Sequence, residues 1–174
     1  QTFLEDAAAQ TIVLTATDGD GDPLTFAIVA NPTQGTLGAI TPINATSASV
    51  AYTPNPNANG ADSFTFSAND GQASSLPATV SITITPVNDA PSFTAGANVT
   101  VLKDTGAQTI SPWATAISTG PANESAQTLS FTITANDNAA MFSVLPAISP
   151  TGVLTFTTAA NANGVANLSV QVQD

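Results

Sequence analysis

The sequence predicts an all-β protein made of two tandem antiparallel sandwiches, the second without its final strand. Three observations carry that prediction. Apolar and β-branched residues alternate with polar ones at period two, in short runs bounded by Gly, Pro, Asn and Asp. No window holds a sustained helical stripe. The chain also repeats itself with a period of roughly one hundred residues, about the length of one sandwich domain.

Taken in order, strands are expected at about Thr11–Ala16, Leu24–Ala30, Gly35–Ile40, Ser49–Thr53, Ser63–Ala68 and Ala78–Thr85. The last is the clearest. Val80, Ile82 and Ile84 face one way while Thr79, Ser81, Thr83 and Thr85 face the other, giving one buried and one wet face, as in an antiparallel sheet. A second series is expected at Thr109–Ile110, Thr128–Thr134, Phe142–Leu145, Val153–Thr157 and Ala166–Gln173.

The two series are copies. Thr2–Ile12 parallels Thr100–Ile110, and Leu24–Ile28 parallels Leu129–Ile133. Asn57-Ala58-Asn59-Gly60 with Ser63–Ser67 parallels Asn161-Ala162-Asn163-Gly164 with Asn167–Gln171. The period is too long for a solenoid and suits an immunoglobulin-like sandwich. Domains are therefore expected at 1–87 and 88–174. The division falls within Pro86-Val87-Asn88-Asp89-Ala90-Pro91, where Pro91 forces its predecessor toward extended geometry. Asp174 aligns with Asp70, so the second copy is expected to lack a counterpart of Ala78–Thr85. The sheet edge this exposes invites pairing, and neighbouring copies joined by strand donation are one expected partner.

Charge narrows the function. The chain has no His, no Cys, no Arg and one Lys, Lys103, against twelve acidic residues, for a formal net charge of −11. Nucleic acid and anionic membrane surfaces both need cationic partners, so neither is expected. No apolar run is long enough for a membrane-spanning helix. Charged residues make up only 7% and hydrophobic ones 43%, which supports a packed core over disorder. Surface polarity must then come from Thr, Ser, Asn and Gln, the look of an extracellular β protein. Without Cys there are no disulfides, and any staple is metal or packing. No imidazole, thiol or guanidinium is present for acid–base or nucleophilic work. Paired carboxylates alone can run a glycosidase, but these acids fall in turn-rich loops, so no enzyme is expected.

The acids carry the candidate site. Asp18-Gly19-Asp20-Gly21-Asp22 sets three carboxylates in one loop, where they can turn inward on a hard cation that takes six to eight oxygen ligands. It is not an EF-hand, since Pro23 stands where Gly is required and Val29 where a bidentate Glu is required. The alternative is a solvated acidic turn. Asp70 follows the sixth strand and is expected at the same end, with Glu5 and Asp6 reaching it from the incoming chain. These six form the first expected calcium site. The second, poorer one comprises Asn88, Asp89, Asp104 and Asp174, extended by Asn123 and Glu124. There Lys103 replaces Glu5 and the aspartate triplet is missing.

The pattern Glu5-Asp6, Asp18–Thr25, Asn59–Phe64, Asn69-Asp70-Gly71 and Val87–Pro91 resembles the bacterial cadherin-like tandem repeats of very large surface adhesins. It covers essentially all of the first copy; the second is divergent. The resemblance implies a calcium-rigidified extender in a secreted or surface-anchored protein of bacterial or archaeal type. Two other roles stay open. One is a self-assembling filament subunit closed by strand donation. The other is a carbohydrate-binding module using Trp113 and Tyr52 as stacking platforms, although single aromatics in sandwiches usually fill the core. Asn57–Gly60 and Asn161–Gly164 are expected to be tight turns.

Overall fold

The computed structural model describes residues 1–174, and the chain divides into two compact units, Gln1–Val87 and Asn88–Asp174. Unit 1 comprises β1 (Thr2–Leu4), β2 (Gln10–Thr15), β3 (Thr25–Ala30), β4 (Gly35–Leu37), β5 (Thr41–Asn44), β6 (Ser47–Pro54), β7 (Gly60–Asn69) and β8 (Ala78–Thr85). One sheet has the order β1-β8-β7-β3. The other has β2-β6-β4, with β5 also on β6. All pairs are antiparallel except β1 with β8, which run parallel. Period-two alternation turns Ile12, Leu14, Val50 and Tyr52 from one sheet toward Phe64, Phe66, Ile82 and Ile84 from the other, and these eight form the core. Each large side chain buried this way contributes about 2 kcal/mol.

Unit 2 comprises β9 (Ser92–Thr94), β10 (Ala107–Ile110), β11 (Thr115–Ser118), β12 (Ser130–Asn136), β13 (Phe142–Ile148), β14 (Leu154–Thr158) and β15 (Leu168–Gln173). Two single 3-10 turns lie at Ala122–Glu124 and Ala139–Met141. Its sheets are β10-β14-β13, β12-β15 and β11-β9. The buried cluster is smaller: Ile148, Leu154 and Phe156, with Val101, Ile110, Trp113, Phe131, Phe142 and Val170 partly buried against it.

The repeat seen in the sequence holds at the level of hydrogen-bonded register. Gln10 pairs with Tyr52 and Gln108 with Phe156. Phe26 pairs with Ala68 and Phe131 with Val172, and both ladders slip at one place, between Ile28 and Ala30 and between Ile133 and Ala135. The strands that sequence periodicity missed, β1, β5, β9 and β11, have three or four residues each. That is too short for alternation to register. The expected Gly35–Ile40 strand ends at Leu37.

Candidate metal centre

At one end of unit 1 the aspartate loop closes on itself. Asp18 Oδ1 accepts the N–H groups of Asp20, Gly21 and Asp22 at 2.9, 2.8 and 3.0 Å. Gly21 at φ +85° makes the turn possible. The N–H groups of Asp22 and Asp20 hold the Asp18 carboxyl below its ordinary value; slight desolvation and the like charge of Asp70 act the other way. The pairing of Thr25 with Asn69 sets the end of this loop and the start of the Asp70 turn at the same end of the sheet. Asp70 Oδ1 in turn accepts the N–H groups of Ala73 and Gln72, at 2.6 and 2.7 Å, and these lower its carboxyl too. Asp20 is exposed and Asp22 half-buried.

Glu5 and Asp6 do not join this group, which corrects the single six-residue cage expected from sequence. The parallel register of β1 on β8 carries Glu5 to the Thr85 end of the sheet, where the Glu5 N–H donates to Thr85 O at 2.9 Å. Gly60, at that end of β7, pairs with Ile84. The ten residues of β7 therefore separate Glu5 from Asp70 by about 30 Å. There Glu5 is 2% exposed; Oε1 accepts the Val87 N–H at 2.6 Å and Oε2 the Asn59 side-chain amide at 3.4 Å. Asp6, at φ +57°, accepts the Asn57 N–H at 2.9 Å and pins the Asn57–Gly60 turn.

Asp104 repeats Asp6: at φ +59° its Oδ1 accepts the Asn161 N–H at 2.7 Å. It therefore sits before β15, while Asp174 follows it, so Asp104 does not join Asn88, Asp89 and Asp174 as expected. What does join them is the 3-10 turn. The Asp89 N–H donates to Glu124 Oε1 at 2.8 Å. Asn88 donates to Asp174 Oδ2 at 3.1 Å, and its own Oδ1 accepts the Gln127 amide at 2.6 Å. Three further oxygens here are buried without any donor: Asp89 Oδ2, Glu124 Oε2 and Gln127 Oε1. Glu124 is only 5% exposed. Gly120, at φ +126°, lies against the pair, and a Cβ there would collide with Glu124 Oε2 and stand 3.3 Å from Asp89 Cβ.

Sequence reasoning placed Glu124 at the margin of this site and passed over Gln127. The signal was the Gly120-Pro121 turn, which folds the following residues back onto Asp89. No three acidic side chains of the chain converge on one point. The donors in unit 2 are two carboxylates supplemented by side-chain amide oxygens.

Elsewhere, Tyr52 is completely buried, so it fills the core and offers no stacking platform. Its hydroxyl donates to Asp62 Oδ2 at 2.7 Å, and burial followed by that carboxylate pushes its pKa up. Trp113 packs against the unit 2 core and donates its indole N–H to Ala97 O at 3.3 Å.

Residues 1–86 match the bacterial cadherin-like domain. No curated relative matches the sequence. Among solved structures, protocadherin gamma B2 extracellular cadherin domains 1–5 superimpose with a TM-score of 0.54 at 17% identity, over 98% of this chain and 38% of that one. Two structures of an endo-fucoidan hydrolase from glycoside hydrolase family 107, one of them a variant, give TM-scores of 0.43 and 0.42 at 18% identity. They cover 100% and 92% of this chain, which spans 25% and 23% of their length. No helix of the chain is long and apolar enough to cross a membrane. The all-β fold is that of cadherin repeats, and residues 1–86 belong to the bacterial cadherin-like domain family.

Proposed function

We propose that the chain is a structural repeat module of a larger extracellular surface protein, a spacer whose second unit is tightened by calcium. The observation that carries this reading is the donorless set Asp89 Oδ2, Glu124 Oε2 and Gln127 Oε1. Buried oxygens of this kind are costly unless something positive meets them. The chain has a single Lys and no other cationic side chain, so a hard divalent ion is the natural partner, and these are the oxygen types such ions prefer. Asp89, Glu124 and Gln127 would hold it, with Asn88 and Asp174 beside them. Bound calcium supplies positive charge that cancels the repulsion between the two carboxylates.

The chain's own residues do the rest. The Asp89 N–H on Glu124 and the Asn88 side chain on Gln127 and Asp174 fasten the first residues of unit 2 to its later loops. In unit 1 the aspartate loop is the poorer candidate: Asp18 and Asp70 each commit an oxygen to backbone N–H groups, and its carboxylates do not converge on one point.

Trp113, the single tryptophan, reports on unit 2 alone. Excess calcium should raise its unfolding midpoint by about 5 °C or more over a chelator-treated sample. Glu124→Gln should abolish most of that rise. A midpoint indifferent to calcium in the unmodified chain would sink the reading.

A further inference from the structure

The stretch between copied segments is longer in unit 2 than in unit 1, running from Ile110 to Leu129 where unit 1 needs only Ile12 to Leu24. The added length builds a corner without a counterpart in unit 1: β11, the Gly120-Pro121 turn and the 3-10 turn that carries Glu124.

β11 pairs with β9, Thr115 with Thr94 and Ser118 with Ser92, so β11 advances three residues while β9 advances two. The extra residue makes a bulge. Ala116 lies inside it, exposed and at φ +47°, a left-handed conformation that glycine usually supplies. Bulges re-aim the residues that follow them, and strained backbone of this kind tends to sit beside functional groups. Carried two residues beyond Ser118–Ser92, the shifted register sets Gly120 beside Ala90 and Asp89.

Two contacts then define what Gly120 does. The Ser118 hydroxyl bridges it, accepting the Gly120 N–H and donating to Gly120 O, both at 3.2 Å. The space that a Cβ would fill at Gly120 is taken by Glu124 Oε2, with Asp89 Cβ 3.3 Å from the same point. Glu124 reaches Asp89 past this bare backbone: its Oε1 accepts the Asp89 N–H, while Oε2 and Asp89 Oδ2 stay buried without donors.

We propose that Ser118 and Gly120 are positioning residues of the cation site. The bulged β9–β11 corner presents Gly120 to Asp89, and its missing side chain lets Glu124 bring a second carboxylate to the same place. Neither residue touches the ion. This deepens the cation reading and rests on it: the site belongs to the corner, and the two carboxylates do not meet once a side chain at position 120 stands between them.

The test titrates the whole chain with calcium, read at Trp113, and measures hydrogen exchange of the Asp89 amide with chelator present. Gly120→Ala should weaken calcium binding by about ten- to a hundredfold. It should also speed Asp89 exchange by about tenfold or more, the loss of a hydrogen bond to a charged acceptor. Ser118→Ala removes only the hydroxyl bridge and should move both in the same direction by about threefold. Gly106→Ala adds a Cβ at another left-handed φ, +74°, but in open space, and should leave both where they are. Unchanged Asp89 exchange in Gly120→Ala overturns the proposal; should that variant not fold, unchanged exchange in Ser118→Ala does so. Equal effects from Gly106→Ala also overturn it, because general loosening of unit 2 then explains them. An unmodified chain whose Trp113 ignores calcium while the Asp89 amide stays protected sinks the cation reading itself, a result distinct from the others.

Discussion

The two units fasten the same loop to the same strand with opposite polarity. In unit 1 the carboxylate is on the strand: Asp62 at 7% exposure accepts the N–H groups of Thr33, Ser63 and Gln34 at 2.9, 2.9 and 3.1 Å and the Tyr52 hydroxyl. In unit 2 it is on the loop: Asp137 accepts the Asn167 N–H and side-chain amide, both at 2.7 Å. At the positions of Tyr52 and Asp62, unit 2 has Phe156 and Ala166. A phenol needs a buried acceptor and a phenylalanine does not, so hydroxyl and carboxylate are present together or absent together. Unit 1 thus carries a buried polar network inside a core of eight residues, and unit 2 an exposed clamp beside a core of three.

The sharpest way to break that comparison is Asp62→Ala, which removes the acceptor of the Thr33, Gln34 and Ser63 N–H groups and of the buried Tyr52 hydroxyl. It should cost unit 1 about 3 kcal/mol or more, lowering its unfolding midpoint by about 15 °C, as followed at Tyr52. The Trp113 transition should stay where it is. A parallel fall in both would mean that the units do not unfold separately.

Acid should separate them next. Burial, the largest single influence on Asp62, raises its pKa, but the Thr33 N–H, the Tyr52 hydroxyl and the Ser63 and Gln34 N–H groups together hold it below its ordinary value. Its folded value lies below its unfolded one, so its ionised form contributes stability that is complete above about pH 4 and lost as pH falls through the folded value. Asp137 is lowered chiefly by the Asn167 side-chain amide and then its N–H, but in an exposed position that water screens. Between about pH 4 and pH 2 the Tyr52 transition should therefore fall further than that of Trp113. Equal slopes would show that burial adds nothing to the clamp.

The smallest expected difference concerns the paired turns. Asp6→Ala and Asp104→Ala each remove a cap on an Asn-Ala-Asn-Gly turn and place alanine at a left-handed φ. Each should cost about 1–2 kcal/mol by thermal unfolding, and the two losses should agree to within about 0.5 kcal/mol. A large gap between them would mark one turn as coupled to something further.

Much of this was legible from residues. Alternation in Ala78–Thr85 and Ser63–Ala68 gave the strands, and the pairing of Thr2–Ile12 with Thr100–Ile110 gave the repeat, because side-chain period and copied segments are local properties. The placement of the acids was not. Glu5 and Asp6 lie early in the chain beside the expected cage, yet the parallel register of β1 on β8 carries them to the other end of the sheet. Glu124 gave little sequence signal, yet a glycine turn folds it onto Asp89 and leaves oxygens of both without a donor. Sequence alone determined the strands, the doubling and the strongly acidic charge. Tertiary structure decided which carboxylates meet, because register and loop closure join groups far apart in the chain, and no local period records them.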